Sequence, residues 1–248
     1  MKNDYHIHSE ISADCELSAE KLINKAIERK YNRIAFTEHL EILSPKWSFH
    51  PDITFPDYMD YFNSLKEKYS EQIEILGGVE IGEYQVTIPQ VEDYFGDLRP
   101  DVVVGSVHTL LPDRNISIPF ERPLSPQEVL DYYKANLELV EKCEIDILGH
   151  LGIFTRYLKH DISIALPICR DIFQVMLAKN IALEINFSGL RKSTKQFMPH
   201  FEVLEEYAKQ GGKRVAMGSD THMIEDFDDY YDEVIEILKE HDYGFEII

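Results

Sequence analysis

The stretch Asp4-Tyr5-His6-Ile7-His8 decides how this chain is interpreted. Successive side chains of an extended strand point to opposite faces, so His6 and His8 project from the same face and lie close enough to hold one metal ion. Residues of the same kind then follow one short apolar run after another along the chain. This pattern indicates a metal-dependent enzyme.

Seven short apolar runs alternate with helical patterns and predict a parallel α/β fold. The predicted strands are residues 4–8, 33–37, 73–79, 101–107, 145–149, 181–186 and 214–218. The clearest helix signal is the capping box of Ser125, Pro126 and Glu128, which predicts a helix to about Lys142. A chain of 248 residues without a linker or composition break fits one α/β barrel, which gathers all strand ends at one mouth. We therefore expect residues 1–248 to form a single (β/α)7 TIM-like barrel.

Candidate metal ligands cluster at the ends of these strands. Six of the ten histidines lie at or within three residues of a strand end, namely His6, His8, His39, His108, His150 and His222. Three carboxylates occupy similar positions, namely Asp14, Glu80 and Asp220. Nine such residues are too many for one ion and suit two or three divalent ions. A mixture of imidazole and carboxylate ligands is compatible with zinc, iron or manganese.

Composition restricts the class of partner. The formal net charge is −20, which argues against nucleic acid and anionic membranes as partners because phosphate binding normally needs a basic surface. The three cysteines are far apart and form no CxxC pattern, as expected in a reducing compartment. The start of the chain lacks a signal-like segment, and no apolar run reaches the length of a membrane helix. We expect a cytoplasmic protein, and the sequence does not determine its oligomeric state.

Six motifs resemble those of the polymerase and histidinol phosphatase (PHP) superfamily, in the same order and over residues 4 to 222. They are Tyr5-His6-Ile7-His8, Thr37-Glu38-His39, Gly78-Val79-Glu80, Gly105-Ser106-Val107-His108, Gly149-His150 and Gly218-Ser219-Asp220-Thr221-His222. The segment from Leu183 to Lys192 resembles the histidinol-phosphatase branch in particular. This resemblance implies a distorted seven-stranded barrel with a trinuclear metal site at the C-terminal ends of the strands.

The resemblance also implies a ligand set for each ion. One ion would be held by His6, His8, Glu80 and Asp220, a second by Glu80, His108 and His150, and a third by Asp14, His39 and His222. Many relatives have histidine at the position of Asp14, and the neighbouring Cys15 is an alternative ligand.

The implied reaction is hydrolysis of a phosphate monoester by a hydroxide that bridges two metal ions. Arg156 and Arg191 lie in loops just past strand ends and are candidates for clamping the phosphoryl oxygens. A metal-bound water, Asp220 or His222 could protonate the leaving alcohol. If the substrate is L-histidinol phosphate, acidic and aromatic partners for its ammonium and imidazole are sought among Glu41, Trp47, Glu184 and Phe187.

Three other functions stay open at this stage. An exonuclease or nucleotide phosphoesterase would use the same metals, but it should show a basic groove. A broad-specificity small-molecule phosphatase would differ only in its loops. A metal-binding regulatory module without turnover would be expected to have lost some ligands, whereas every motif position here has a metal-competent residue.

Overall fold

The computed structural model describes residues 1–43, 53–110 and 113–248. Within these ranges, ten strands and seven α-helices follow one another along the chain. The strands are β1 (Asn3–Ile7), β2 (Arg33–Leu40), β3 (Glu74–Gly82), β4 (Val103–Ser106), β5 (Thr109–Leu110), β6 (Arg114–Asn115), β7 (Ile147–Leu148), β8 (Ala182–Asn186), β9 (Arg214–Gly218) and β10 (Glu246–Ile247). The helices are α1 (Ala19–Glu28), α2 (Phe55–Tyr69), α3 (Tyr84–Phe95), α4 (Pro126–Lys142), α5 (Leu166–Lys179), α6 (Phe201–Lys209) and α7 (Tyr231–Glu240).

Eight of the strands form one curled parallel sheet in the order β1-β2-β3-β4-β7-β8-β9-β10. Strands β5 and β6 make a separate antiparallel hairpin. The segment after β9 closes back onto β1, because the Asp220 N–H donates to the His6 carbonyl at 2.7 Å and the His8 N–H donates to the Thr221 carbonyl at 3.0 Å. The predicted α/β class and distorted barrel are confirmed.

The apolar C-terminal tail adds a strand that the sequence analysis did not predict. All seven predicted strands are present, and β10 pairs parallel to β9, with Glu246 opposite Arg214. The tail also reaches β1, since Asn3 Nδ2 donates to the Ile248 carbonyl at 2.9 Å. A strand of two residues is too short to show the alternation that reveals longer strands.

The sequence predicts a short helix from about Pro89 to Phe95, and the helix observed there, α3, begins earlier, at Tyr84. The chain reverses at Glu83, whose φ of 49° is left-handed. The helix is interrupted at Thr87, with φ −124°. Pro89 therefore stands near the start of a new turn, where its missing N–H removes no essential hydrogen bond. The predicted capping box of Ser125 and Glu128 at the start of α4 is confirmed.

Three prolines and an aromatic cluster of Trp47, Phe49, His50 and Phe55 predict a long loop from Glu41 to Pro56, which is described only in part. Trp47, Phe49 and His50 lie outside the described residues. Phe55, from the same predicted aromatic cluster, is the first residue of α2 and is buried. Among the described helices, none combines the length and the apolar character needed to cross a membrane.

The inner face of the sheet is apolar at one end and polar at the other. Its apolar end is a small cluster of Tyr5, Ala35, Val102, Val104, Ile147, Ala182 and Ala216. Since strand side chains repeat every two residues, the same face of β2 presents His39 four residues after Ala35, whereas Asp220 follows the end of β9 at Gly218. The alternation therefore directs the candidate ligands into the mouth formed by the C-terminal ends of the strands.

Candidate metal centre

Glu80 lies at the centre of the candidate ligands. It is fully buried in β3, and the register of β2 and β3 sets it beside His39. Its Oε2 is 2.9 Å from His39 Nδ1, whereas its Oε1 is 2.7 Å from His150 Nε2 and 3.2 Å from His108 Nε2. Each oxygen of this carboxylate thus faces a different set of imidazoles.

The first group of donors surrounds Glu80 Oε2. His6 Nε2 lies 3.3 Å from this oxygen and His8 Nε2 lies 3.8 Å from it. Asp220 Oδ1 is 3.9 Å from His6 Nε2 and 3.5 Å from His8 Nε2. These are the four residues that the resemblance assigns to one ion.

The second and third groups flank the first. His108 Nε2 and His150 Nε2 are 3.2 Å apart beside Glu80 Oε1. On the other side, His39 Nε2 is 3.4 Å from His222 Nε2. Asp14 Oδ2 lies 3.5 Å from His39 Nε2 and 3.4 Å from His222 Nε2. All nine residues predicted from the sequence therefore meet in one cluster.

Several atoms of this cluster that could bind a metal ion have no hydrogen-bond partner among the described residues. His6 Nε2, His8 Nε2 and Glu80 Oε2 are buried and form no acceptable hydrogen bond within the described part of the chain. Buried polar atoms without a partner cost free energy, and a divalent cation would satisfy all three. Three sets of side chains place their ligand atoms close enough together to hold a metal ion, namely His6 with His8 and Glu80, Glu80 with His108 and His150, and His8 with His39 and His222.

Two buried carboxylates, Glu184 and Glu41, bind the ring nitrogens of His6 and His108 that face away from the centre. His6 Nδ1 donates to Glu184 Oε1 at 2.7 Å, and His108 Nδ1 donates to Glu41 Oε1 at 2.7 Å. With the proton on Nδ1, each ring presents the lone pair of Nε2 to the centre. The prediction that Glu184 contacts the substrate is wrong, because it is 1% exposed and also accepts from the His150 N–H. The sequence does contain one indication of this buried position, because Glu184 lies two residues after Ala182 and therefore on the same inner face of the sheet.

Glu38 organises the loop that follows β1. Its carboxylate accepts from Ser9 Oγ at 2.6 Å and from Ser12 Oγ at 2.5 Å. Burial raises the pKa of Glu38 to about 7, and the two serines oppose this rise. Glu38 belongs to the motif Thr37-Glu38-His39, which by itself indicates no role for this residue. In the structure it fixes the loop that leads to Asp14.

The buried charges of the metal-free centre balance one another. Burial alone would lower the pKa of His6, but Glu184 and Glu80 raise it well above its ordinary value. Burial would raise the pKa of Glu80, whereas His6, His108 and His39 lower it well below its ordinary value. His6 therefore favours its imidazolium form and Glu80 its carboxylate form, and a bound metal ion would replace the His6 proton. Burial and the charges of His39 and His222 instead lower the pKa of His8 well below its ordinary value.

A cavity of about 270 Å³ opens above the cluster. Its lining includes, besides candidate ligands, Ile118, Arg156, Tyr157, Arg191, Lys192 and Met223. This volume suits a small molecule better than a polymer, as expected for a concave ligand site.

Both predicted arginines reach this cavity, but protein acceptors already hold them. Arg156 Nη1 is 3.2 Å from Asp220 Oδ2, and Arg156 also donates to the Ser117 carbonyl. Arg191 Nη2 donates to the Ser219 carbonyl at 2.6 Å, and its Nε lies 3.3 Å from Asp226 Oδ2. Their guanidinium groups thus brace the walls of the cavity.

Other residues considered from the sequence lie away from the donor atoms. Cys15 donates to the His222 carbonyl at 3.3 Å, and burial raises the pKa of its thiol to about 12. Phe187 is fully buried and cannot contact a substrate. His160 is half-buried, and its Nε2 accepts from the Leu124 N–H at 2.9 Å.

Comparisons with known proteins agree with this geometry. The PHP domain family model matches residues 4–188. The histidinol-phosphatase of Lactococcus lactis is 31% identical over 232 residues, which cover 90% of this chain and 84% of that protein. A probable histidinol-phosphatase of Thermotoga maritima is 25% identical over 98% of this chain and 93% of its own length.

A solved structure gives the same result for the fold. The crystal structure of the Lactococcus lactis histidinol phosphate phosphatase, complexed with zinc, L-histidinol and phosphate, has a TM-score of 0.81 to this chain. The two are 27% identical, and the match covers 100% of this chain and 95% of the other.

Proposed function

This chain belongs to the PHP domain family, and from that premise we propose that it hydrolyses L-histidinol phosphate to L-histidinol and phosphate. The observation that carries this proposal is the position of Glu80 between two sets of imidazoles, with 2.9 Å to His39 on one oxygen and 2.7 Å to His150 on the other. A carboxylate shared in this way suits a pair of metal ions, and paired ions act on phosphate esters.

The residues that would hold the metals follow from the distances above. His6, His8, Glu80 and Asp220 would bind one ion, and Glu80, His108 and His150 a second. Asp14, His39 and His222 would bind a third. Zinc, iron and manganese all suit this donor set, and zinc is the metal in the Lactococcus lactis structure. When bound, such ions activate water near neutral pH and offset the charge of the phosphoryl oxygens.

The protein itself would orient the ester and move protons. Arg156 fixes Asp220 through the contact of 3.2 Å, and Ser188 Oγ donates to the same Asp220 oxygen at 3.1 Å. Asp220 and His222 are the two side chains that we propose as proton donors to the leaving alcohol, since both line the cavity. The buried carboxylates behind the histidines would hold the ligand geometry during turnover.

We also propose that residues 1–248 act as one domain in the cytoplasm. The pairing of β10 with β9 and the contact of Asn3 with Ile248 tie the two ends of the chain together. All three cysteines are free thiols, as is usual in a reducing compartment. The partner that this site requires is a small phosphorylated molecule, and the formal net charge of −20 argues against nucleic acid and anionic membranes.

The test is phosphate release from L-histidinol phosphate beside a panel of sugar phosphates, nucleotides and phosphotyrosine, with added manganese or zinc. We expect a kcat/KM for histidinol phosphate at least about a hundredfold above the panel, as a site that hydrogen-bonds its substrate can achieve. Asp220→Asn is the inactive control. Similar slow rates across the panel would indicate a broad-specificity phosphatase, and no release by metal-loaded protein would contradict an enzymatic function.

A further inference from the structure

Three cationic side chains line the cavity above the metal centre, and they differ in how they are paired. They are Arg156, Arg191 and Lys192. Arg156 is held by Asp220 and by the Ser117 carbonyl. Arg191 is held by the Ser219 carbonyl and by Asp226. Both arginines therefore have strong acceptors before any ligand arrives.

The hydrogen bonds of Arg191 hold a neighbouring segment of the chain in place. Its Nη2 is 2.6 Å from the Ser219 carbonyl and 3.3 Å from the Asp220 carbonyl. These carbonyls belong to the segment that presents Asp220 and His222, and Asp220 has a left-handed φ of 52°. A non-glycine residue adopts this conformation only when its surroundings enforce it. Arg191 thus positions the metal-binding segment.

Lys192 has no comparable partner. Its ammonium forms no hydrogen bond or ion pair with the residues that the structure describes. It is only partly exposed. Burial and then the charges of Arg156 and Arg191 lower its pKa, whereas Asp220 and Asp226 act in the opposite direction. A half-buried cation next to two guanidinium groups is unfavourable by itself, and an anion in the cavity would relieve this cost.

The backbone around Lys192 is fixed in place. Its N–H donates to the Gly189 carbonyl at 3.0 Å at the end of the short 3-10 helix Ser188–Arg191. The loop folds tightly on itself, because a Cβ on Gly189 would lie 2.1 Å from the Gln196 carbonyl oxygen. A long side chain on a fixed backbone can therefore present its charge to one region of the cavity.

We propose that Lys192 is the side chain that contacts the phosphoryl oxygens of the substrate, and that Arg191 is a positioning residue. This inference rests on the proposed function of the site, because it assigns the anion-binding cation of that reaction. It changes the role expected for Arg191 from the sequence. The ligand class is a phosphate monoester dianion, or inorganic phosphate as product.

The experiment compares wild type, Lys192→Met and Lys192→Arg, each loaded with manganese and assayed for metal content. Methionine keeps most of the side-chain length without the charge. For Lys192→Met we expect KM for histidinol phosphate and the inhibition constant of inorganic phosphate to rise by about tenfold to a hundredfold, the range for a lost charged hydrogen bond. Lys192→Arg should restore much of both. Metal content should not change.

Lys195→Met is the matched control. Lys195 is exposed on the same loop and lines a different cavity, beside Phe197 and Phe201, so its removal should leave both constants unchanged. The inference would be overturned if wild type and Lys192→Met had equal KM and equal inhibition constants. It would also be overturned if Lys192→Met lost metal and Lys192→Arg did not restore the metal content. If wild type hydrolyses no ester, the proposed function fails, and direct binding of inorganic phosphate to the same variants still decides whether Lys192 holds the anion.

Discussion

Glu184 Oε1 accepts a hydrogen bond from His6 Nδ1 at 2.7 Å, although the two residues are 178 positions apart in the chain. The bond fixes the His6 ring so that Nε2 points at Glu80. Through its other oxygen, Glu184 accepts from the backbone N–H of His150. One buried carboxylate thus aligns a donor from the first group with a donor from the second.

Glu184→Gln should weaken metal binding without removing a ligand. The amide has no negative charge to favour the Nδ1 proton of His6, and its NH2 group would face the His150 N–H or the His6 N–H. Loss of such an orienting group typically costs about tenfold to a hundredfold in metal affinity. The measurement is a competition titration with a chelating dye. Glu202→Gln, an exposed change on α6, is the control, and equal affinities for both variants would contradict this role.

Gly218→Ala tests the same contact from the opposite side. A Cβ on Gly218 would lie 1.8 Å from Glu184 Oε1, so the carboxylate would have to move away from His6. We expect metal affinity to fall by about tenfold or more, together with a loss of stability.

Gly212→Ala is a control that introduces steric crowding away from the candidate metal centre. Its Cβ would lie 2.3 Å from the Tyr207 ring, remote from the centre. This variant should lose stability, by about 1 to 3 kcal/mol for overpacking, while its affinity for metal stays at the wild-type value. Thermal unfolding and dye competition measure the two quantities. The interpretation fails if Gly212→Ala weakens metal binding as much as Gly218→Ala does.

Much of the site was predictable because its ligands obey local rules. His39 and Glu80 lie on strands whose apolar alternation shows which face they occupy, and the barrel topology brings those faces together. The roles of Glu41 and Glu184 were not predictable in this way. Each role depends on which strands are neighbours in the sheet and on the register between them.

The contacts of Arg191 were hidden from the sequence for the same reason. From the sequence, Arg191 is a cation in a loop after a strand, which suits a phosphate clamp. Only the folded chain shows that carbonyls of the segment after β9 occupy its N–H groups. The pairing of β10 with β9 was hidden for a related reason, because two residues carry no periodic signal.

Asp14→Ala should remove one metal ion and leave the other two. Asp14 contacts His39 and His222, at 3.5 Å and 3.4 Å, and is partly exposed, with 24% of its side-chain surface accessible. The first and second groups retain all of their donors. Elemental analysis of dialysed protein should give about one ion per chain less than wild type, as expected for a site that loses one of three protein ligands.

Asp14→His provides the matched comparison. A histidine can supply a nitrogen donor at the same position, so this variant should retain the wild-type number of ions. If Asp14→Ala loses no metal, the third group does not depend on Asp14. If it loses all metal, the three groups are not separable.

Glu128 should make the stability of the protein depend on pH. It closes the capping box of α4 by accepting from the Ser125 N–H at 2.7 Å. It also accepts from Arg122 Nη2 at 2.8 Å. The bond from Arg122 is the main cause that lowers the pKa of Glu128 below its ordinary value of 4.5, ahead of the bonds from Ser125. Because the folded pKa is lower than the unfolded one, the stabilisation is complete above pH 4.5 and is lost as the pH falls towards the folded pKa.

Glu128→Gln should therefore lower the free energy of unfolding by about 1 kcal/mol at pH 7, the typical value of a cap and a partly exposed ion pair. The difference from wild type should stay constant down to about pH 5.5 and shrink as the pH falls below about 4.5. Urea titrations of metal-free protein at several pH values measure it, with the exposed Glu121→Gln as control. A difference that grows as the pH falls would have the wrong sign for a carboxylate with a lowered pKa, and would show that Glu128 is not stabilised as the ion.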